Sequence, residues 1–173
     1  MKRNSPQPER RLSEAEECAD TFDLHNGIGF LARILETRVK NLYEELTGQS
    51  EITPRQFGVL LTLHQRGPMT LTDLAEGICV DRSTLSEMIA RMALKKLVSK
   101  SVNGADARSA TVALAPAGKT ALMGIVLGVM EQRQALLAPV PKAERAQFIK
   151  NMKLVAGQPI RAASDAQANR RRS

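Results

Sequence analysis

Tryptophan is absent from this 173-residue chain, and its aromatics amount to one tyrosine and four phenylalanines. So few rings argue against a surface that stacks unpaired bases, because Phe22, Phe30, Tyr43, Phe57 and Phe148 mostly fall at core spacing. Two cysteines, Cys18 and Cys79, make neither a disulfide framework nor a metal-ligand cluster, which fits a reducing cytoplasm. There are only two histidines, and no Ser/His/Asp pattern, metal spacing or Gly-rich phosphate loop accompanies them. Catalysis needs a constellation of activated groups, so no enzyme, cofactor or metal site is expected. Long apolar runs are missing as well. Thr120–Met130, the longest uncharged stretch of the second half, is too short for a bilayer span, so no membrane partner is expected. Lys2 and Arg3 lead into polar sequence, from which no secretory signal is expected.

What is present suits one soluble domain. The apolar fraction is 43% and the charged fraction 25%, the proportions of a globular protein rather than a disordered one. The net charge of +7 suggests an anionic partner, and its distribution matters more than its total. Lys2, Arg3, Arg10 and Arg11 crowd one end, and Arg161, Arg170, Arg171 and Arg172 the other. Between them, Arg82, Arg91, Lys95, Lys96, Lys100 and Arg108 outnumber Asp81, Glu87 and Asp106. Glu14, Glu16, Glu17, Asp20 and Asp23 carry the opposite bias.

Periodicity divides the chain. Residues 1–17, with Pro6, Pro8 and mixed charge, read as a flexible arm with nothing to bury. From Thr21 to Thr47, Leu24, Ile28, Leu31, Leu35, Val39, Leu42 and Leu46 recur at steps of three and four, one face of a long helix closed by Gly48. Thr53, Pro54 and Gln56 form a capping box with proline at the first helical position, and Gly67-Pro68 ends that helix. Thr70 caps a short helix through Leu71, Leu74, Ala75 and Ile78. After a tight link at Cys79-Val80, Asp81 caps another helix, reaching about Lys96. The period then changes to alternation: Val98, Lys100 and Val102 make one strand, and 111–114 a second, with Asn103-Gly104 in the connection. Pro116 opens a long helix broken by Pro139 and Pro141, and a last helix covers about Lys142 to Val155. Residues 157–173 read as a basic flexible tail.

A capped short helix, a tight turn, a second helix and a hairpin compose a winged helix-turn-helix. The fold class is therefore mainly α with a small β-hairpin wing. In such a unit the second helix lies in the major groove with its N-terminal residues at the base edges. Leu85, Ile89 and Met92 would face the core, leaving Arg82, Ser83, Ser86 and Arg91 outward. Thr70, Thr72, Ser83, Thr84 and Ser86 offer hydroxyls to phosphate oxygens. Arg82 has the fork that matches guanine O6 and N7. Ordinary capping chemistry also explains Asp-x-Ser-Thr at a helix start, and Lys95, Lys96 and Lys100 also suit a solvated face.

The spaced set Ile52–Phe57, Gly67–Ala75, Val80–Ser86, Leu97-Val98, Asp106-Ala-Arg-Ser109, Val112–Leu114 and Pro116-Ala-Gly118 resembles the MarR family of bacterial regulators. Coverage runs from about residue 22 to 156. The resemblance implies a homodimer whose terminal helices, 18–50 and 116–156, interlock above two winged lobes, 51–115. It also implies that Arg108 enters the minor groove, held by Asp106, where a narrow A·T-rich groove favours an arginine. An exposed hairpin arginine is the plainer alternative. Ala115 stands where the family commonly has threonine before Pro-x-Gly. Broad apolar faces on the first and last helices independently favour dimerisation, and a two-fold dimer calls for a pseudo-palindromic operator. The family commonly binds small, often aromatic, anions near positions matching Gly27, Leu31, Phe57, Leu61 and His64. Each of these also suits plain helix packing, and His64 a helix dipole. The peroxide-sensing branch carries a cysteine where this chain has Gly27–Phe30, and Cys18 lies earlier among carboxylates that disfavour a thiolate. The reading is a sequence-specific, effector-modulated regulator of double-stranded DNA. A winged-helix protein-interaction module and a cysteine-based redox regulator are its rivals.

Overall fold

A computed structural model describes residues 8–48, 50–102 and 110–157. Two compact units emerge, Met1–Asn41 and Leu42–Ser173.

In the first unit, α1 spans Pro8–Thr21, a short 3-10 turn spans Leu24–Asn26, and α2 begins at Ile28 and runs to Leu46. Two sequence expectations change here. The described part of the supposed arm is helical from Pro8, because Glu, Ala, Arg and Leu have high helix propensity even with no core to join. The long first helix is also interrupted. Asp23 takes extended geometry, its carboxylate accepts from the His25 amide at 2.9 Å and from Asn26 Nδ2 at 2.6 Å, and Gly27 caps the turn. A short Asp side chain competing for local amides breaks a helix that the leucine spacing alone would continue.

The second unit is the winged lobe. The last turn of α2 is anchored by Tyr43, whose buried hydroxyl donates to the Ile52 carbonyl at 2.7 Å. Burial raises its phenol above the ordinary value. α3, Pro54–Arg66, starts with the full capping box: Thr53 Oγ1 accepts from the Gln56 amide, and Gln56 Oε1 accepts from the Thr53 amide. A two-residue strand, β1 (Met69–Thr70), leads into α4 (Leu71–Ile78) and α5 (Arg82–Leu94). β2 (Val98–Val102) and β3 (Ala110–Leu114) pair antiparallel with Val98 opposite Leu114 and Val102 opposite Ala110. β1 adds to the other edge of β3, giving the order β1-β3-β2. The wing is thus a three-stranded sheet rather than a bare hairpin. α6 (Pro116–Leu137) and α7 (Arg145–Val155) follow, the latter starting three residues later than the spacing suggested.

One core unites these elements. Val59, Leu60, Leu74, Leu85, Ile89, Met92, Val112 and Leu122 are completely or almost completely buried, drawn from α3, α4, α5, β3 and α6. Backbone contacts fix its edges. A Cβ on Gly118 would lie 2.0 Å from the Leu97 carbonyl oxygen, so only glycine lets the start of α6 approach the start of β2. Gly128 meets the Leu46 carbonyl in the same way, at 2.0 Å. Ala115 gives α6 no side-chain cap, which is the consequence of the missing threonine.

Candidate nucleic-acid interface

Helix α5 owes its position to its ends. At its start Asp81 is extended, and its carboxylate accepts from the Thr84 amide at 2.8 Å and from the Ser83 hydroxyl at 2.6 Å. Those bonds, the Ser83 hydroxyl first and the Thr84 amide next, hold the Asp81 carboxyl far below the ordinary carboxylate range. Before it, Cys79 takes left-handed geometry (φ 56°), and the Val80 amide returns to the Ala75 carbonyl at 3.1 Å. That reversal sets α4 against α5 in three residues. Left-handed backbone is uncommon outside glycine, and no turn residue announced it. At the far end Lys96 is also left-handed, and the Leu97 amide bonds the Met92 carbonyl at 2.9 Å, directing the chain into β2.

Burial then sorts the side chains of α5. Leu85, Met88, Ile89 and Met92 are buried, whereas Arg82, Ser83, Glu87, Ala90, Arg91 and Leu94 are exposed and Thr84 and Ser86 half-buried. At about 100° per residue, Ser83, Glu87, Ala90 and Leu94 fall within roughly 60° of one another, diametrically opposite the buried set. Arg82 and Arg91 stand on opposite flanks of that line. A helix packed by one face and exposed along the other is a rod ready to enter a groove.

The hydroxyls expected at phosphates are partly engaged within the protein. Thr70 Oγ1 donates to the Asp73 carboxylate at 2.7 Å and accepts from the Asp73 amide at 3.2 Å, so it serves as the cap of α4. Ser83 gives its proton to Asp81 and keeps its oxygen lone pairs. Thr72 is exposed on α4. Lys95 at the end of α5 is bonded to Glu51 at 3.0 Å, which lowers the Glu51 carboxyl through that hydrogen bond and ion pair. Asp106 and Arg108, the wing pair, lie outside the described residues.

The positions matched to an effector site fall in both units. In the first, Gly27 is half-buried, its missing side chain faced by the Phe22 ring edge at 3.4 Å, and Leu31 is exposed. Nearby, the Phe30 ring meets His25 edge-on at 5.2 Å and carries the Arg33 guanidinium over its face at 5.5 Å. In the second unit Phe57 and Leu61 pack against the core, and His64 is exposed in the last turn of α3. Core packing thus accounts for Phe57 and Leu61 without a ligand. Cys18 and Cys79 are both exposed, and neither is in a disulfide. Among the described residues no group of His, Cys, Asp and Glu could hold a metal ion, and no helix is long and apolar enough to cross a membrane.

A buried core of four helices and a strand, a helix α5 exposed along its outer face and a three-stranded wing define a winged helix-turn-helix protein. The MarR family model matches residues 52–110, from the start of α3 to the start of β3. Across 130 residues the chain is 26% identical to YsmB, an HTH-type transcriptional regulator of Bacillus subtilis, covering 75% of this chain and 86% of that one. The PcaV transcriptional regulator of Streptomyces coelicolor, solved with its natural ligand, superposes with a TM-score of 0.74 at 26% identity, over 79% of this chain and 96% of PcaV. A mutant MarR from E. coli complexed with operator DNA superposes at 0.66 and 25% identity, over 74% of this chain and 92% of its own. In its family-model match, its relatives and its structural neighbours the chain is similar to the MarR family of transcriptional regulators. The relatives and neighbours that it matches are transcriptional regulators, which are not enzymes.

Proposed function

We propose that this regulator works as a homodimer on a pseudo-palindromic operator, each copy laying α5 in a major groove. The observation that carries the reading is the two-sided character of α5, core on one face and an open line of side chains on the other. Apolar side chains left exposed on the terminal helices support the dimer. Phe22, Ile28, Leu31 and Ile34 stand open in the first unit, and Met123, Leu127, Met130, Met152, Leu154 and Val155 on α6 and α7. A monomer exposing such faces would aggregate, and a second copy of the same chain covers them symmetrically.

On the reading helix, Arg82 and Arg91 flank the groove-facing line and contact phosphates of the two strands. That role replaces, for Arg82, the guanine contact expected from its side chain alone. Ser86 and Thr72 add neutral phosphate contacts, with Thr84 beside the capped helix start. Arg108, steadied by Asp106, takes the minor groove. The known complex of the E. coli relative with operator DNA supports this docking. Modulation by a small anion is supported by the likeness to ligand-bound PcaV and by the His25–Phe30–Arg33 group, in which a phenyl ring lies between an imidazole and a guanidinium.

The test is a binding titration with operator and unrelated duplexes across a salt series. Arg82→Ala should weaken binding to both alike and lower the salt slope by about 1, as loss of one phosphate contact does. Arg108→Ala should weaken binding most on sites with A·T-rich flanks. Wild-type affinity for both variants refutes the assignment of contacts.

A further inference from the structure

Along the groove-facing line of α5 there is one charged side chain, and its sign is negative. Glu87 lies between Ser83 and Ala90, is exposed, and makes no hydrogen bond or ion pair among the described residues. Arg91, one turn further on, has the spacing for a helical ion pair with it, yet none forms. Arg82 and Arg91 on the flanks of this line suit a polyanion, so a bare carboxylate at its centre needs a reason. Facing phosphates it would be repelled. Facing base edges it requires a donor, because an ionised carboxylate only accepts.

The major groove supplies few donors. Guanine presents two acceptors there and thymine an acceptor and a methyl group, so both repel or ignore a carboxylate. Adenine couples its N6 donor to the N7 acceptor, which opposes the second carboxylate oxygen. Cytosine presents its N4 amino group with no neighbouring acceptor of its own, and it is the base that Glu or Asp matches. Ala90 and Leu94, further along the same line, add only apolar contact of the kind that suits thymine methyls.

We propose that Glu87 is a specificity-determining residue that reads a cytosine through its N4 amino group, once in each half of the operator. The inference rests on the docking of α5 proposed above. It divides labour along the helix: arginines on the flanks hold the backbone, and the one carboxylate at the centre chooses the sequence.

Selection from a random duplex library at fixed salt tests it, using the full chain as wild type, Glu87→Gln and Glu87→Ala. Wild type should enrich a two-fold symmetric site with a fixed C·G pair in each half, and replacing that pair should weaken binding about ten- to a hundredfold. Glu87→Gln should move the preference at that position to adenine, which glutamine matches through N6 and N7. Glu87→Ala should lose preference there and nowhere else. Identical preferences for wild type and Glu87→Gln overturn the inference while leaving the docking intact. So does a uniform rise in affinity for every duplex, which marks simple removal of repulsion. If wild type itself enriches no symmetric site, the docking and the inference both fall.

Discussion

The winged lobe and the unit of residues 1–41 are built from similar amphipathic helices, yet they bury their apolar residues in opposite measure. In the lobe, leucines on α3, α4, α5 and α6 reach zero exposure. In the first unit none of the described residues from 11 to 41 is buried, and Ile28 remains 66% exposed. Sequence pattern is not what differs, since both regions repeat leucine and isoleucine at steps of three and four. Partners are what differ. The lobe closes on itself because five elements converge on one core. A single α-helix has no second layer, and its stripe becomes useful only when another surface meets it. The lobe has a core complete in itself, whereas the stripe of the first unit, like the open faces of α6 and α7, is proposed to meet a second copy.

The contrast is sharpest in paired substitutions. Leu60→Ala, inside the lobe, should destabilise by about 2–5 kcal/mol, the range for a buried leucine that leaves a cavity, and chemical denaturation at fixed protein concentration measures it. Leu127→Asp, on the exposed face of α6, should leave the lobe folded but shift the sedimenting species towards monomer. Equal losses of stability from the two substitutions would erase the distinction. A smaller effect is expected from Gly118→Ala, whose Cβ collides with the Leu97 carbonyl. Overpacking of this kind costs about 1–3 kcal/mol and should lower the melting temperature without altering the oligomeric state.

The smallest effect concerns the start of α5. The folded Asp81 carboxyl is held below its ordinary value, so its contribution is present at neutral pH and is lost as pH falls below about 4. The difference in melting temperature between wild type and Asp81→Ala should therefore shrink as pH drops from 7 towards 2. A gap that stays constant over that range would mean the cap does not depend on the ionised carboxylate.

Much of the lobe is legible in the residues because its signals are local. Thr53, Pro54 and Gln56 announce the start of α3, and Thr70 and Asp81 cap the next two helices where capping preferences place them. Features set by competition or distance are harder to read. The leucine spacing runs straight through Asp23–Gly27 and hides a break made by one carboxylate and its neighbouring amides. β1 is two residues long and exists because β3 lies beside it, which no local pattern signals. α1 is mostly polar, and only Leu12, Ala15, Cys18 and Ala19 mark an apolar face, too thin a stripe to announce a helix.

At the interface, the outward side chains of α5 follow from the spacing of Leu85, Ile89 and Met92. Their division into centre and flank comes only from placing the buried set. Thr70 and Ser83 show the other limit. A hydroxyl near a helix start can serve a cap or a phosphate, and hydrogen-bond geometry makes Thr70 the cap of α4 and Ser83 a donor to the Asp81 cap of α5. In the charge pattern Glu87 figures only as an offset to the cations around it. The signal that would have found it is its step of four from Ser83 and of three to Ala90.

Two copies of this chain are proposed to bind one duplex through two α5 helices. Sedimentation equilibrium of the full protein with a duplex enriched by genomic selection tests it directly. A complex containing two chains per duplex, lost when either half-site is scrambled, is the expected result. A complex of one chain per duplex, or none at low salt, contradicts it.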